Sequence, residues 1–296
     1  MTSPGVSLEA MLVPAVPEAA IAVLKDHGVD AGSLVEMNKT GLRRPVTRFG
    51  SGGIVVEVAE SEPGRERIRR ELWGRQWAAQ AGLATAVVFD ADQDGSWLVG
   101  EWVEPGAPTG TGFLDHALAA AQVITDAAPP SPGPPANLWR SPRRAALTRT
   151  ARAVSGRMPI RLWWEARKAA TALPMAPTAH GDYYHRNVLW RPDRDEVYIV
   201  DWEYLGPAAR YTDPLRLWTV LPERADRDAV LERLFRAAPV DRHRDIATLG
   251  LWLALRLLGE NLKAPRRARD SDDLAHAWSI QPEAAELARS HEAWPI

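Results

Sequence analysis

The spacing of apolar and polar residues changes character twice along the chain. Pro17–His27 places Ile21, Val23 and Leu24 at helical spacing, with Pro17 at the start and Gly28 as the stop, which predicts a first helix. From about residue 34 to 60 the pattern turns to short β-type runs, Leu34–Met37, Val46–Phe49 and Ile54–Ala59. Thr40-Gly41 and Gly50-Ser51-Gly52-Gly53 separate them, and such breaks between apolar runs predict an antiparallel meander. Residues 65–81 then set Ile68, Leu72, Trp73 and Trp77 on one side of a charged stretch, which predicts an amphipathic helix.

Two further strands are expected at Thr85–Phe89 and Trp97–Val103, with Asp94-Gly95 as a hairpin signal between them. Pro105-Gly106-Ala107-Pro108 breaks the pattern. Beyond it the periodicity is mostly helical, apart from a proline-rich loop at 129–135 and a β-like patch around 188–201. No internal repeat is visible. The expected architecture is α+β: a small antiparallel sheet with one helix in residues 1–103, then a larger, mostly helical lobe over 104–296.

Composition narrows the chemistry. The 296 residues are 46% hydrophobic and 25% charged, ordinary globular usage that supports a sizeable core. Thirty-six basic residues against 38 acidic ones leave a net charge of −2, so charge gives no case for a nucleic acid or an anionic membrane as partner. The absence of cysteine excludes disulfides, thiolate nucleophiles and cysteine-based zinc sites. The start, Met1-Thr2-Ser3-Pro4-Gly5, lacks a basic leader pattern, and no apolar run reaches the roughly 18 residues a membrane helix needs, so a soluble, cytoplasmic protein is expected. Only Lys25, Lys39, Lys168 and Lys263 are lysines. Of the thirteen tryptophans, Trp163, Trp164, Trp218 and Trp252 fall in the helical lobe, where most are expected to be core. Arg266–Asp273 mixes signs and reads as a solvated loop.

Chemistry concentrates in His180-Gly181-Asp182-Tyr183-Tyr184-His185-Arg186-Asn187, followed by Val197-Tyr198-Ile199-Val200-Asp201-Trp202-Glu203. Asp182 and Asn187 stand five apart on an irregular loop, and Asp201 ends a hairpin that returns beside it. Two carboxylates and an amide oxygen make an all-oxygen set suited to Mg²⁺, a hard cation held by few protein ligands and by substrate phosphates. One carboxylate is then left to accept a hydroxyl proton. The frame matches the phosphoryl-transfer template of an H-x-D-x-x-x-x-N loop with a second Asp. A turn network of satisfied Asp and Asn side chains is the bland alternative.

On these motifs the sequence resembles the aminoglycoside phosphotransferase and choline kinase-like family of the protein-kinase-like superfamily, over roughly residues 30–260. H-G-D stands for H-R-D, and V-D-W-E for D-F-G. The resemblance implies a bilobal protein-kinase-like fold, with a nucleotide-binding N-terminal lobe and a helical catalytic and acceptor-binding lobe. It implies transfer of the γ-phosphoryl group of ATP, or of GTP, to a hydroxyl of a small molecule with Mg²⁺. That acceptor could be an antibiotic, in resistance or self-protection, or a sugar, choline-like or nucleoside metabolite. Asp182 becomes the catalytic base, Asn187 a metal ligand and Asp201 the principal Mg²⁺ ligand. Glu203 matches the family's carboxylate two residues on and is grouped with Tyr183 and Tyr184 as acceptor-side candidates. His180 is expected to orient the loop rather than act as a base, and His185 to lie at the surface. Asp213 either braces the loop or caps a helix. Backbone groups near Glu101 and Val103 are expected at the adenine edge.

The N-terminal lobe departs from the family. Its third strand should end in a lysine that pairs with the phosphates and with a helix Glu, for which Glu71 is the match. Glu57 stands in that lysine's place, and no lysine occurs between Lys39 and Lys168. Glu57 is either solvated or set with Glu71 around an arginine, for which Arg48, Arg67 and Arg70 are candidates. Arg48 is the first choice to meet the nucleotide phosphates. Gly50–Gly53 is a hairpin turn rather than a phosphate loop. The alternative to an enzyme is a kinase-fold binding or regulatory protein that lost catalysis with its lysine.

Overall fold

A computed structural model describes residues 16–37, 45–104, 106–128, 173–263 and 271–291, together with Trp164, Ala166 and Lys168. The expected turn at Thr40-Gly41, the proline-rich loop at 129–135, Trp163 and Arg266–Asp270 lie outside the described residues, as does the N-terminal stretch from Met1. The chain divides into two compact units, one from Met1–Arg69 and Val87–Trp102, the other from Arg70–Ala86 and Val103–Ile296.

In the first unit, α1 (Glu18–Asp26) precedes the short β1 (Val35–Glu36), then β2 (Val46–Ser51) and β3 (Ile54–Ala59). After α2 (Glu62–Gln80) come β4 (Val88–Ala91) and β5 (Trp97–Glu101). The five strands form one antiparallel sheet in the order β1-β2-β3-β5-β4. Gly52 and Gly53 turn the β2–β3 hairpin with φ of 56° and 79°, values that side chains with a Cβ resist and glycine adopts freely. Phe49, Ile54, Val56, Val58, Trp97 and Val99 form the apolar face, and Ala20 and Leu24 of α1 cover it. Alternation along β2 and β3 therefore sets this register, because a one-residue slip would turn Val56 and Val58 away from α1 and bring Glu57 against it.

Two boundaries differ from expectation for a physical reason. The strand expected at Thr85–Phe89 begins only at Val88, with a bulge between Val88 and Asp90. Thr85 is used in the second unit instead, where its hydroxyl donates to Ile199 O and accepts from Trp202 Nε1. Residues 70–86, expected in the N-terminal lobe, belong to the second unit for the same kind of reason. Trp77, Ala78 and Leu83 pack into its core.

In the second unit, α3 (Gly110–Asp126) is followed by β6 (Met175–Ala179), the β7–β8 hairpin (Val188–Arg191 and Glu196–Ile199) and β9 (Gly206–Ala209), which pairs with β6. Among the described residues four further helices follow: α4 (Thr212–Trp218), α5 (Arg224–Ala237), α6 (His243–Lys263) and α7 (Ser271–Ser290). Trp202, Trp218 and Tyr183 are its largest fully buried side chains, and rings of this size each remove roughly 150–250 Å² from water. Trp252 is also buried, whereas Trp164 is 39% exposed and is not core. Ile246, Leu249 and Leu253 of α6 share one cluster with Ile280, Ala284 and Leu287 of α7. The buried Arg227 ties α5 to α7 through both oxygens of Glu283 and also bonds the carbonyls of Leu221 and Pro222. No helix among the described residues is long and apolar enough to cross a membrane.

Candidate active site

The loop after β6 is held at three points. Its first residue, His180, is fully buried. The His180 Nδ1 accepts the Asp182 N–H at 3.3 Å, which leaves Nε2 to donate to Val200 O at 3.0 Å. These two bonds tie the ring to Asp182 on one side and to Val200 on the other, the place expected of a brace. The carboxylate of Asp213, on the first turn of α4, accepts the N–H groups of His180 at 2.7 Å and Gly181 at 2.9 Å. Tyr211, not Asp213, is the N-cap of that helix, and both Asp213 oxygens go to the loop. Burial pushes the Asp213 carboxyl upward, opposed by His180 and by the two N–H groups it accepts. Gly181 has φ 84°, so the chain turns sharply into Asp182 at a residue with no Cβ to resist it.

The other end of the loop is set by the β7–β8 register, which pairs Val188 with Ile199. Val200 N–H donates to Asn187 O at 3.0 Å, so the residue before Asp201 is tied to Asn187 by its amide and to His180 by its carbonyl. Asn187 is buried and its Nδ2 donates to Asp182 O at 3.0 Å, which leaves Oδ1 as the atom available to a cation. Asp201 has φ 67°, in the left-handed region that a residue with a Cβ adopts at a cost of about 1–3 kcal/mol. The half-buried Tyr184 reports on both carboxylates. Burial pushes its hydroxyl up to about 12, with Asp182 and Asp201 each adding to the rise.

Asp182 itself is 22% exposed at its side chain. Burial raises its carboxyl, the Arg216 guanidinium opposes that, and Glu260 adds to it. Arg216 Nη2 lies 3.4 Å from Asp182 Oδ1 and 2.8 Å from Glu260 Oε2, and Arg256 Nε lies 2.6 Å from Glu260 Oε1. Sequence reasoning missed Arg216, Glu260 and Arg256. An arginine four residues before a glutamate on a helix is an ordinary surface pair, and nothing in the pattern of α4 and α6 marks Arg216 as reaching Asp182.

Several expected residues do other work. Tyr183, expected at the acceptor, is fully buried and donates its hydroxyl to Ala117 O at 2.6 Å, so it is a core residue of the second unit. Glu203, also expected there, is 6% exposed within the turn Trp202–Tyr204 and presents no open face. Glu71, matched to the lysine's partner, is buried against Arg75 on its own helix at 2.6 Å, and Arg75 donates on to Ala86 O. His185 is half-buried rather than a surface residue. Burial, then Arg186, lowers its imidazole.

In the first unit Arg48 and Glu57 face each other across β2 and β3, with Arg48 Nε 3.0 Å from Glu57 Oε1. The solvated reading of Glu57 is overturned, because its side chain is 8% exposed. Arg67 and Arg70 are half-buried on α2. At the end of β5, Glu101 N–H donates to Val87 O and Trp102 N–H to Gly53 O. Val103 packs in the second unit with Ala86, Leu189 and Tyr198.

The model of the phosphotransferase enzyme family, APH, matches residues 42–250. No curated protein matches the chain. Among solved structures, a choline/ethanolamine kinase family protein from Mesorhizobium loti is similar with a TM-score of 0.59 at 17% identity, over 94% of this chain and 100% of that one. The amicoumacin kinase hAmiN, in complex with AMP-PNP, Ca²⁺ and Ami, is similar with a TM-score of 0.56 at 13% identity, over 92% and 96%. The streptomycin–ATP–APH(2'')-IIa ternary complex gives 0.58 at 12% identity, over 92% and 97%. At these identities the likeness is one of fold, and the fold is the α+β kinase-like one.

Proposed function

The chain belongs to the phosphotransferase enzyme family, and from that premise we propose that it moves the γ-phosphoryl group of ATP to a hydroxyl of a small molecule with Mg²⁺. The observation that carries this reading is the cross-tied loop. His180 joins the approach to Asp182 to the residue before Asp201, and Asp213 holds the backbone between them.

The donor set fits a hard cation. Asn187 Oδ1 and the Asp201 carboxylate, held in a conformation that costs energy, would hold Mg²⁺. When bound with ATP, the ion neutralises charge on the transferring phosphoryl group. Asp182 takes the hydroxyl proton at Oδ2, the oxygen that Arg216 does not contact, as a general base. Arg48, oriented by the buried Glu57, supplies the cation that the third strand lacks, and backbone groups at Glu101 and Val103 take the adenine edge. Tyr184 stands at the acceptor side, since its ring feels both carboxylates.

An antibiotic is the acceptor class we favour, because proteins of similar fold include an amicoumacin kinase and a phosphotransferase with streptomycin. The cytoplasm, where ATP is available, is the matching location. A second reading, a regulatory protein without catalysis, has one observation in its favour: Glu57 at the place of the lysine. Incubation with γ-labelled ATP and Mg²⁺ against hydroxylated antibiotics, sugars, choline and nucleosides separates the two. Label on an acceptor supports the transferase, and its absence from all of them favours the regulatory protein.

A further inference from the structure

Among the described residues, Arg216 is the one side chain hydrogen-bonded to the Asp182 carboxylate, and it touches a single oxygen, Oδ1. Arg216 is itself 7% exposed, and its Nε and Nη1 are buried without a partner. Both of its side-chain bonds therefore leave from Nη2, to Asp182 and to Glu260. Glu260 in turn is aligned from one helical turn away by Arg256, 2.6 Å from its other oxygen. Four charges alternate in sign along this chain, from α6 through α4 to the loop, and they sum to zero.

A buried guanidinium with two idle donors is costly unless its charge is matched, so the two carboxylates are what keep Arg216 in place. Its position then restricts where the Asp182 carboxylate can turn. We propose that Arg216 is the positioning residue for Asp182, gripping Oδ1 so that Oδ2 faces the acceptor, with Glu260 and Arg256 holding Arg216 in register. The proposal rests on the reading of Asp182 as the base.

Steady-state kinetics of Arg216→Met, Arg216→Lys and Glu260→Gln, on the best acceptor from the panel above, test it. Arg216→Met should lower kcat about tenfold to a hundredfold, the cost of a displaced reacting group, with both KM values within about twofold. Arg216→Lys should recover part of the loss, since it keeps the charge but not the fork. Glu260→Gln should lower kcat about fivefold, the difference between a charged and a neutral hydrogen bond. Added to Asp182→Asn, Arg216→Met should cost nothing further, because residues that act through one group are not additive. Additive losses, or a loss confined to KM, would overturn the proposal. A crystal structure of the Glu260→Gln protein keeps the question open to decision if Arg216→Met does not fold or if the wild type transfers no label. A displaced Asp182 carboxylate supports the proposal, and an unmoved one overturns it whatever becomes of the phosphotransferase reading.

Discussion

The loop at 180–187 and the β2–β3 hairpin both carry charged groups in protected surroundings, and they secure them differently. In the loop, His180 is tied to Val200 O beside the end of β8, the His180 and Gly181 N–H groups to the Asp213 carboxylate on α4, and Asn187 to Asp182 O. On the hairpin, Arg48 pairs across the strands with the buried Glu57, and Arg48 remains 31% exposed. Over-determination suits groups that must act on one atom. A cation proposed to meet a diffuse phosphate charge can sit partly in solvent. The contrast predicts that changes in the loop cost orders of magnitude in rate, and changes on the hairpin cost affinity.

The largest effect is expected at Asp201. Asp201→Ala should abolish Mg²⁺-dependent nucleotide binding while the protein stays folded, since holding an alanine at φ 67° costs only about 1–2 kcal/mol. ATP titration with and without Mg²⁺ checks this. An unchanged Mg²⁺ dependence would make Asp201 structural and remove the metal from the loop side of the comparison. Next comes Asp182→Asn, which keeps the shape and removes the proton acceptor. General bases contribute about 10²–10⁴-fold, so kcat should fall at least about a hundredfold with nucleotide affinity little changed. Wild-type turnover in this variant would take Asp182 out of the mechanism.

A smaller effect belongs to the hairpin. A charge-assisted hydrogen bond contributes about 1.5–3 kcal/mol, so Arg48→Ala should raise the nucleotide KM about tenfold or more and leave the acceptor KM nearly unchanged. If Arg48→Ala, Arg67→Ala and Arg70→Ala all have equal, small effects, no arginine of this region replaces the lysine. The hairpin then has no catalytic counterpart to the loop.

The same contrast explains what could be read from the chain. His180, Asp182, Asn187 and Asp201 stood out because the motif sets those residue types at fixed spacing, and the structure ties His180 to Val200 O and Asn187 to Asp182 O. The hairpin was legible through Gly52-Gly53 and the alternation of β3. Arg216 was not, because its meaning depends on α4 and α6 lying together, a long-range fact that no local pattern encodes. The partner of Glu71 was not legible for a related reason: the arginine one turn along α2 lies 2.6 Å from its carboxylate. Thr85 left its expected strand because Ile199 and Trp202, more than a hundred residues away, offered its hydroxyl two bonds.

Tyr183 and Tyr184 give the smallest and sharpest test, since adjacent residues of the same type fall on opposite sides of the distinction between support and chemistry. Tyr183 points into the core and spends its hydroxyl on Ala117 O, with burial and then Asp213 holding that hydroxyl well above its ordinary range. Tyr184 remains half-buried beside the two carboxylates. Tyr183→Phe removes one buried hydrogen bond while the Ala117 carbonyl keeps its intrahelical partner, a cost of about 0.5–1.5 kcal/mol in stability. Its acceptor KM should equal that of the wild type. Tyr184→Phe removes a hydroxyl that feels Asp182 and Asp201, so on the proposed reading it should change the acceptor KM with little loss of stability. Thermal melts and steady-state kinetics on the two variants suffice to tell them apart. A Tyr183→Phe protein with an altered acceptor KM and an unaltered melt would return Tyr183 to the acceptor site and undo the division argued for the loop.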